Sequence, residues 1–341
     1  MGQLTKMRDL IGIIKDKASQ SKAAFLSKPS TSLQLSLLRA TTHDPSAPPS
    51  RKHISALLSF GNSSRAIASA AIEALMDRLQ STQNSAVALK CLLVVHHIIK
   101  YGSFILQDQL SIYPSNGGRN YLNLSNFRDN SNPITWELSS WVRWYAQYIE
   151  HLLCTSRVLG FFLGSSSRSI TEDKEAREQK VSSLLNNDLL RETDSLVGLV
   201  EENCRNPDSV HASGNKLVDE IINLASEDCV STITEVSIRV NEFNERIGSL
   251  TFGEAVDLVC NLKRLEDCKR VVLVVQTKKK PSMDGFWDLI REVKERIGME
   301  KLYREEGKLR KERTSESARF ARRVLNPGAL VRFPSGRLLG L

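Results

Sequence analysis

The sequence lacks any apolar run of the roughly 18 residues that a membrane-spanning helix needs. The first segment, Met1–Lys17, carries a charge every few positions, so it does not resemble a secretory signal peptide. Hydrophobic residues make up 41% of the chain and charged residues 25%, which excludes wholesale disorder and a fibrous protein. These features predict a globular protein of the cytosol.

Cysteine is scarce, and so are the signatures of enzymes. The six cysteines contain no C-x-x-C pair, so we expect reduced, mostly buried thiols and neither a zinc site nor a disulfide framework. The chain has no Gly-rich phosphate-binding loop, no H-E-x-x-H and no G-x-S-x-G motif. His96 and His97 are adjacent, so on a helix they point about 100° apart and cannot bind one metal together. The sequence therefore predicts no catalytic residue, no metal site and no cofactor.

Proline and strand-like alternation are also rare. The ten prolines lie between segments whose apolar residues recur at helical spacing. Asn84–Tyr101 is apolar on all sides, which predicts a buried helix that Gly102 ends. The apolar run Val271–Val275 continues a helical pattern, so we expect it to be helical as well. The result is an all-α prediction, with helices near residues 63–80, 84–101, 135–163, 180–203, 213–247, 251–277 and 284–323.

In the helix near residues 63–80, one stripe of apolar side chains predicts the buried face, and Ser63 or Ser64 can cap the start. The stripe consists of Ile67, Ala70, Ala71, Ala74, Leu75 and Leu79.

Positive charge is concentrated at the two ends of the sequence. Residues 1–60 contain nine Lys or Arg and three acids, and residues 291–341 contain fourteen and seven, within a net charge of +8. Such basic segments attract an anionic partner, which can be a phospholipid surface or nucleic acid. A nucleic-acid binder would interleave aromatic and basic residues, whereas the aromatics of Trp136–Tyr148 follow a helical core pattern.

The strongest candidate site is a basic cluster near the start of the chain. Arg39 closes one helical run, and after a proline-containing loop Ser50 can cap a second helix. The first turn of that helix is basic, with Arg51, Lys52 and His53. Unpaired N–H groups at a helix start and several cations suit a phosphate. The alternative, a solvated basic helix end, is equally compatible with the spacing.

An N-terminal helix carries an apolar stripe opposite several lysines, and such a helix can lie in a lipid interface. The competing interpretation, which the shortness of the apolar face favours, is that the stripe packs on the next helix. The membrane-insertion candidates are Leu4, Met7, Leu10, Ile11 and Ile14.

Four segments resemble, in the same order, the ANTH domain of the phosphatidylinositol-binding clathrin assembly proteins. They are Leu38-Arg39-Ala40-Thr41-Thr42-His43-Asp44 with Arg51-Lys52-His53, then residues 88–102, 121–129 and 141–148. The similarity is clear through about residue 165 and weaker to about residue 310. It implies a superhelical stack of helices, similar to ENTH and VHS domains, followed by a longer helical bundle. The implied division is an N-terminal amphipathic helix (1–25), the stack (26–165), the bundle (166–310) and a basic, partly disordered tail (311–341).

The resemblance implies a non-enzymatic endocytic adaptor. Such a protein binds phosphatidylinositol-4,5-bisphosphate on the cytoplasmic face of membranes, promotes clathrin coat assembly and vesicle budding, and sorts vesicle SNARE cargo. It would act at clathrin-coated pits and vesicles, with the Golgi as an alternative compartment. The implied lipid-binding residues are Arg39, Arg51, Lys52 and His53. The rival function is a basic all-helical nucleic-acid-binding or scaffold protein without a membrane role.

Two departures from the family pattern concern the lipid and clathrin. Ser50 stands where the family has the first lysine of its basic run, and the adjacent Arg51 can compensate for the missing charge. The chain is expected to be a short form without a long motif-bearing tail, because the sequence stops at residue 341, soon after the predicted helical region. In addition, Asn326-Pro327-Gly328 lacks the Phe of an Asn-Pro-Phe motif. Asp188-Leu189-Leu190 is similar to a clathrin-binding motif, but it lies in a predicted helix where we expect core leucines.

Overall fold

A computed structural model describes residues 11–12, 14–21, 29–114, 120–165, 174–207, 214–277 and 285–299. Within these ranges the regular structure is entirely helical, which confirms the all-α prediction. None of the described helices combines the length and apolar character needed to cross a bilayer. The helix predicted to run to residue 323 is described only as far as residue 299, and the predicted basic tail, residues 311–341, lies outside the described residues.

The helices follow one another with short connections. Short 3-10 turns cover Ser59–Asn62 and Ile247–Ser249. In chain order the α-helices are α1 (11–12 and 14–21), α2 (Pro29–Ala40), α3 (Arg51–Leu58), α4 (Arg65–Ser81), α5 (Ser85–Tyr101), α6 (Phe104–Ser111), α7 (Pro133–Leu159), α8 (Lys174–Ser182), α9 (Asn186–Cys204), α10 (Lys216–Arg246), α11 (Phe252–Asp267), α12 (Lys269–Thr277) and α13 (285–299).

Helix α5 lies at the centre of the N-terminal stack. It packs on α3, α4, α6, α7 and α10, which explains why almost every one of its side chains is buried. Asn84 caps its start by accepting the Val87 N–H over 3.0 Å. The helix ends at Gly102, as predicted. Glycine is required there because a Cβ at this position would collide with the Ile98 carbonyl oxygen.

A buried polar cluster joins α5 and α7 to the long helix α10. The Asp228 carboxylate lies 2.6 Å from His96 Nε2, accepts from Lys100 Nζ over 3.0 Å and accepts from the Tyr148 hydroxyl over 3.1 Å. Burial opposes ionisation of Asp228, but the charges and hydrogen bonds of His96 and Lys100 bring its pKa below the ordinary value. His96 is thus a buried member of this cluster, and the cluster stabilises the stack against the bundle.

The buried face of α4 differs from the predicted stripe. Ile67 is 41% exposed and Ala70 is also exposed, although Leu75 and Leu79 are buried as expected. The helix is turned so that the face shared with Leu75 and Leu79 continues through residues 68, 72 and 76. The buried residues are Ala68, Ile72, Leu75, Met76 and Leu79. The capping prediction is confirmed at Ser64, which accepts from the Ile67 N–H.

Two predicted helices are each interrupted once. The run at 180–203 is split between α8 and α9, because the Arg246 guanidinium binds the carbonyls of Ser182 and Leu184 over 2.5 and 2.6 Å and holds a turn there. The run at 251–277 is interrupted at Cys268, which ends α11. Residues 271–275 lie in α12 and are helical, as predicted.

The six thiols are free, as expected, but only half of them are buried: Cys91, Cys229 and Cys268. The expectation of mostly buried thiols is wrong for Cys154 and Cys260, which are exposed on helical surfaces.

Candidate functional site

A ten-residue loop, residues 41–50, connects the end of α2 to the start of α3 and carries the basic cluster at its two ends. Thr41 closes α2, because its N–H and its hydroxyl both donate to the Leu37 carbonyl, over 3.0 and 2.6 Å. Ser50 opens α3 with an extended backbone, and its side chain accepts from the His53 N–H. The predicted cap at Ser50 is confirmed.

The four predicted site residues are brought together at this helix junction. Arg39 lies in the last turn of α2, and Arg51 and Lys52 lie in the first turn of α3. These three side chains are exposed, while His53 is half-buried and shares a hydrogen bond with the main chain of Arg39.

The cations of this cluster lack an acidic partner in the part of the chain that the structure describes. No acid of the described residues forms an ion pair with Arg39, Arg51 or Lys52, and α3 has no acidic residue in its first turn. Over the same part of the chain, the main-chain N–H groups of Arg51 and Lys52 have no acceptor. Cations at a helix N-terminus are electrostatically unfavourable, so this arrangement favours an anionic ligand.

His53 responds to the same positive field. Partial burial, followed by the charges of Arg39 and Lys52, lowers the pKa of the imidazole below 6.5. The hydrogen bond with the Arg39 main chain acts in the opposite direction and does not reverse the shift. His53 is therefore mainly neutral at pH 7 and gains a proton readily when an anion neutralises its neighbours.

Three consecutive loop residues are held by three different helices. The Arg78 guanidinium of α4 donates to the Thr41 carbonyl over 2.8 Å. Lys90 Nζ of α5 donates to the Thr42 hydroxyl over 2.8 Å. His43, the third residue, is bound by α1 through Asp16, so the first three residues of the loop are fixed to the helices around them.

Lys90 is the most unusual of these supporting residues, because it is only 2% exposed and lies among apolar residues in the first half of α5. Burial lowers the pKa of its ammonium group to about 8, against the opposing attraction of Asp44 and Asp16. A lysine within the apolar run of residues 86–95 is a signal that the sequence carries. The partners Asp16 and Arg78 have no comparable signal, since their role depends on contacts between distant segments.

Of the membrane-insertion candidates, Leu4, Met7 and Leu10 lie outside the described residues. Ile11 and Ile14 are 47% and 62% exposed. The competing interpretation, in which the apolar stripe packs on the protein, does not hold for Ile14.

The possible clathrin motif of α9 is placed as expected. Leu189 is fully buried and Leu190 is 7% exposed, so both leucines belong to the hydrophobic core. They are not available as a peptide motif in the folded chain.

Comparison with known proteins identifies the family to which this chain belongs. The ANTH domain family matches residues 32–233, which include the basic cluster and all helices from α2 into α10. Three Arabidopsis thaliana proteins have names that assign them provisionally to clathrin assembly. The protein At4g40080 is 52% identical over 353 residues, 99% of this chain and 95% of its own. At5g10410 is 35% identical over 84% of each chain, and At5g65370 is 32% identical over 85% of this chain and 99% of its own. The chain therefore belongs to the ANTH-domain family of clathrin assembly proteins.

Proposed function

We propose that this protein is a peripheral membrane adaptor that binds the headgroup of phosphatidylinositol-4,5-bisphosphate at the α2–α3 junction. Arg39, Arg51 and Lys52 would contact the phosphates, and His53 would add a donor when it is protonated. The observation that carries the proposal is the group of three exposed cations without an acidic partner among the described residues, next to free N–H groups at the start of α3. A doubly phosphorylated inositol supplies the charge and the acceptors that this cluster lacks.

The role in clathrin coat assembly and vesicle budding is proposed from family membership and from the names of the relatives. Because Leu189 and Leu190 are buried, clathrin would have to be bound through another part of the chain. The cytoplasmic face of clathrin-coated pits and vesicles is the corresponding location. Sorting of vesicle SNAREs and action at the Golgi are carried by the family resemblance alone.

The exposed isoleucines of α1 support a second contact with the bilayer. Ile11 and Ile14 are presented to solvent beside exposed Lys15 and Lys17, the arrangement of a helix that lies in a lipid interface. We include the five membrane-insertion candidates in the proposed membrane-binding surface.

Vesicle co-sedimentation tests the headgroup proposal. The protein is mixed with phosphatidylcholine and phosphatidylserine vesicles with and without phosphatidylinositol-4,5-bisphosphate. The double variant R51E/K52E should bind the bisphosphate vesicles at least about 30-fold more weakly, since each cation near an anionic surface contributes about 1 kcal/mol.

A matched charge reversal separates a specific site from general attraction. K263E/R270E changes the net charge equally at two exposed positions of α11 and α12. We expect this control to retain most of the bisphosphate-dependent binding. Equal losses in both double variants, or retained binding of R51E/K52E, would rule out the site.

The rival nucleic-acid function is tested in the same buffer with labelled single-stranded RNA. Within α7, Trp141, Trp144, Tyr145 and Tyr148 are buried and cannot stack on bases. Trp136 is 55% exposed, so the core pattern expected for the aromatics of this helix is wrong at its first turn. We expect RNA retention to be weak and to be lost at moderate salt, unlike the binding to bisphosphate vesicles.

A further inference from the structure

In its described part, helix α1 is docked on the protein through a carboxylate, while the side chains of Ile11 and Ile14 face solvent. Asp16 is the buried residue of its described part, at 7% exposure, whereas Ile11 and Ile14 are exposed. None of the described α1 residues belongs to the hydrophobic core. Polar contacts therefore hold the described part of α1.

The partner of Asp16 is His43 in the loop that carries the basic cluster. The main-chain N–H of His43 donates to Asp16 Oδ2 over 2.9 Å, and His43 Nδ1 lies 2.7 Å from Asp16 Oδ1. One turn earlier, a Cβ at Gly12 would lie only 2.9 Å from the His43 Cβ, so the α1 backbone packs directly on this residue. Gly12 and Asp16 are four positions apart and share the docked face of α1.

The same contact decides which face of α1 is turned outward. Ile14 lies two positions before Asp16, about 200° around the helix, and so points away from His43. Its 62% exposure agrees with this geometry.

The loop that contains His43, residues 41–50, is itself bound to neighbouring helices. His43 follows Thr41 and Thr42, which are bound by Arg78 and Lys90. An orientation imposed on α1 by His43 is therefore an orientation relative to the α2–α3 junction.

We propose that the Asp16–His43 pair joins α1 and the basic cluster into one surface for an anionic bilayer. In this arrangement Ile14 enters the lipid interface while Arg39, Arg51 and Lys52 hold a headgroup. The inference rests on the proposed function and adds to it the residues that orient the two parts. Asp16 and His43 act as positioning residues, because they bind each other and thereby orient α1, while other side chains contact the lipid.

The sharpest test is Asp16→Ala, because two explanations predict opposite results. Removal of an acid makes the protein more positive, so electrostatics alone predict tighter binding to anionic vesicles. Loss of the orienting contact predicts about tenfold weaker binding, the scale expected when one large apolar side chain no longer enters the lipid. Asp44→Ala is the matched control, since Asp44 lies in the same loop and its carboxylate accepts from Ser46. We expect Asp44→Ala to bind as tightly as the unsubstituted protein, or more tightly.

A soluble headgroup separates the two parts of the surface. Inositol 1,4,5-trisphosphate, titrated by calorimetry, should bind Asp16→Ala within about twofold of the unsubstituted protein, because the α2–α3 junction remains intact. A second variant, Ile14→Ser, keeps the Asp16–His43 pair and should lose vesicle binding to a similar extent. Its control is Ile67→Ser, at an isoleucine that is 41% exposed on α4. The double variant Asp16→Ala/Ile14→Ser should bind no more weakly than the weaker single variant.

Three results would overturn the inference: unchanged or tighter vesicle binding by Asp16→Ala, equal losses of trisphosphate and vesicle binding by that variant, or equal behaviour of Ile14→Ser and Ile67→Ser. Failure of the proposed function would be seen separately, as absence of trisphosphate binding by the unsubstituted protein. Ile14→Ser also keeps the test valid if circular dichroism shows that Asp16→Ala does not fold.

Discussion

The Asn215 side-chain amide donates to the Pro45 carbonyl over 3.0 Å, across 170 positions of sequence. The Oδ1 atom of the same side chain accepts the Leu217 N–H over 2.9 Å and caps α10. One residue therefore starts the longest described helix and holds the loop of the candidate site. Together with the Asp228 cluster, this contact connects the C-terminal bundle to the N-terminal stack.

The two roles of Asn215 can be separated by substitution. Asp retains an acceptor for the cap but has no donor for Pro45, so Asn215→Asp should lose about 1 kcal/mol of unfolding free energy. Asn215→Ala loses both contacts and should lose about 2 kcal/mol. Urea denaturation measures both values, and Asn215→Asp as stable as the unsubstituted protein would show that the Pro45 contact contributes nothing.

Headgroup binding should take up a proton at His53. In the free protein the pKa of His53 lies below 6.5, and bound phosphates would raise it. Between the two pKa values binding takes up a proton, so affinity should increase as the pH falls through this range. The phosphates titrate in the same range, with a second pKa of about 6. The informative quantity is therefore the affinity of the unsubstituted protein divided by the affinity of His53→Gln at the same pH. Calorimetry with inositol 1,4,5-trisphosphate from pH 8 to pH 5.5 should show this ratio rising, and a constant ratio would exclude His53 from the site.

Lys90 should make stability depend on alkaline pH. Its pKa is about 8 in the folded protein against 10.5 for an ordinary lysine, so between these values the unfolded chain binds more protons. The unfolding free energy should therefore rise with pH through this window, by up to about 3 kcal/mol. Lys90→Met should lack this rise. Thermal denaturation of both proteins between pH 7.5 and pH 10.5 measures the difference, and parallel pH profiles would contradict the prediction.

The Asp228 cluster should be a major source of stability. Asp228→Asn removes the buried charge that pairs with Lys100 and His96, while the partly exposed Glu227 stays 3.1 Å from Lys100, so we expect a loss of about 3 kcal/mol. Asp288→Asn breaks an exposed pair with Arg291 and should cost less than about 1 kcal/mol. Urea denaturation of the two variants compares them, and similar losses would show that the buried cluster contributes little.

Several elements could be predicted from sequence because their signals are local. The buried character of α5, the caps at Ser50 and Ser64 and the helical state of residues 271–275 all follow from spacing within a few turns. The rotation of α4 was predicted incorrectly, because small alanines lie on several sides of that helix and its neighbours decide which side is covered. The turn between α8 and α9 was missed because Arg246, which holds it, comes from α10.

By itself, the sequence determined that this protein is helical, that positive charge gathers at the α2–α3 junction and that an N-terminal helix carries an apolar stripe. Only the tertiary structure decided that Asp16 docks that helix on His43, that Lys90 and Arg78 brace the loop, and that Asn215 reaches Pro45. The physical reason is the sequence separation over which each interaction acts. Helix periodicity and caps are set by residues three or four positions apart, whereas the partner of a buried charge is chosen by which helices pack together.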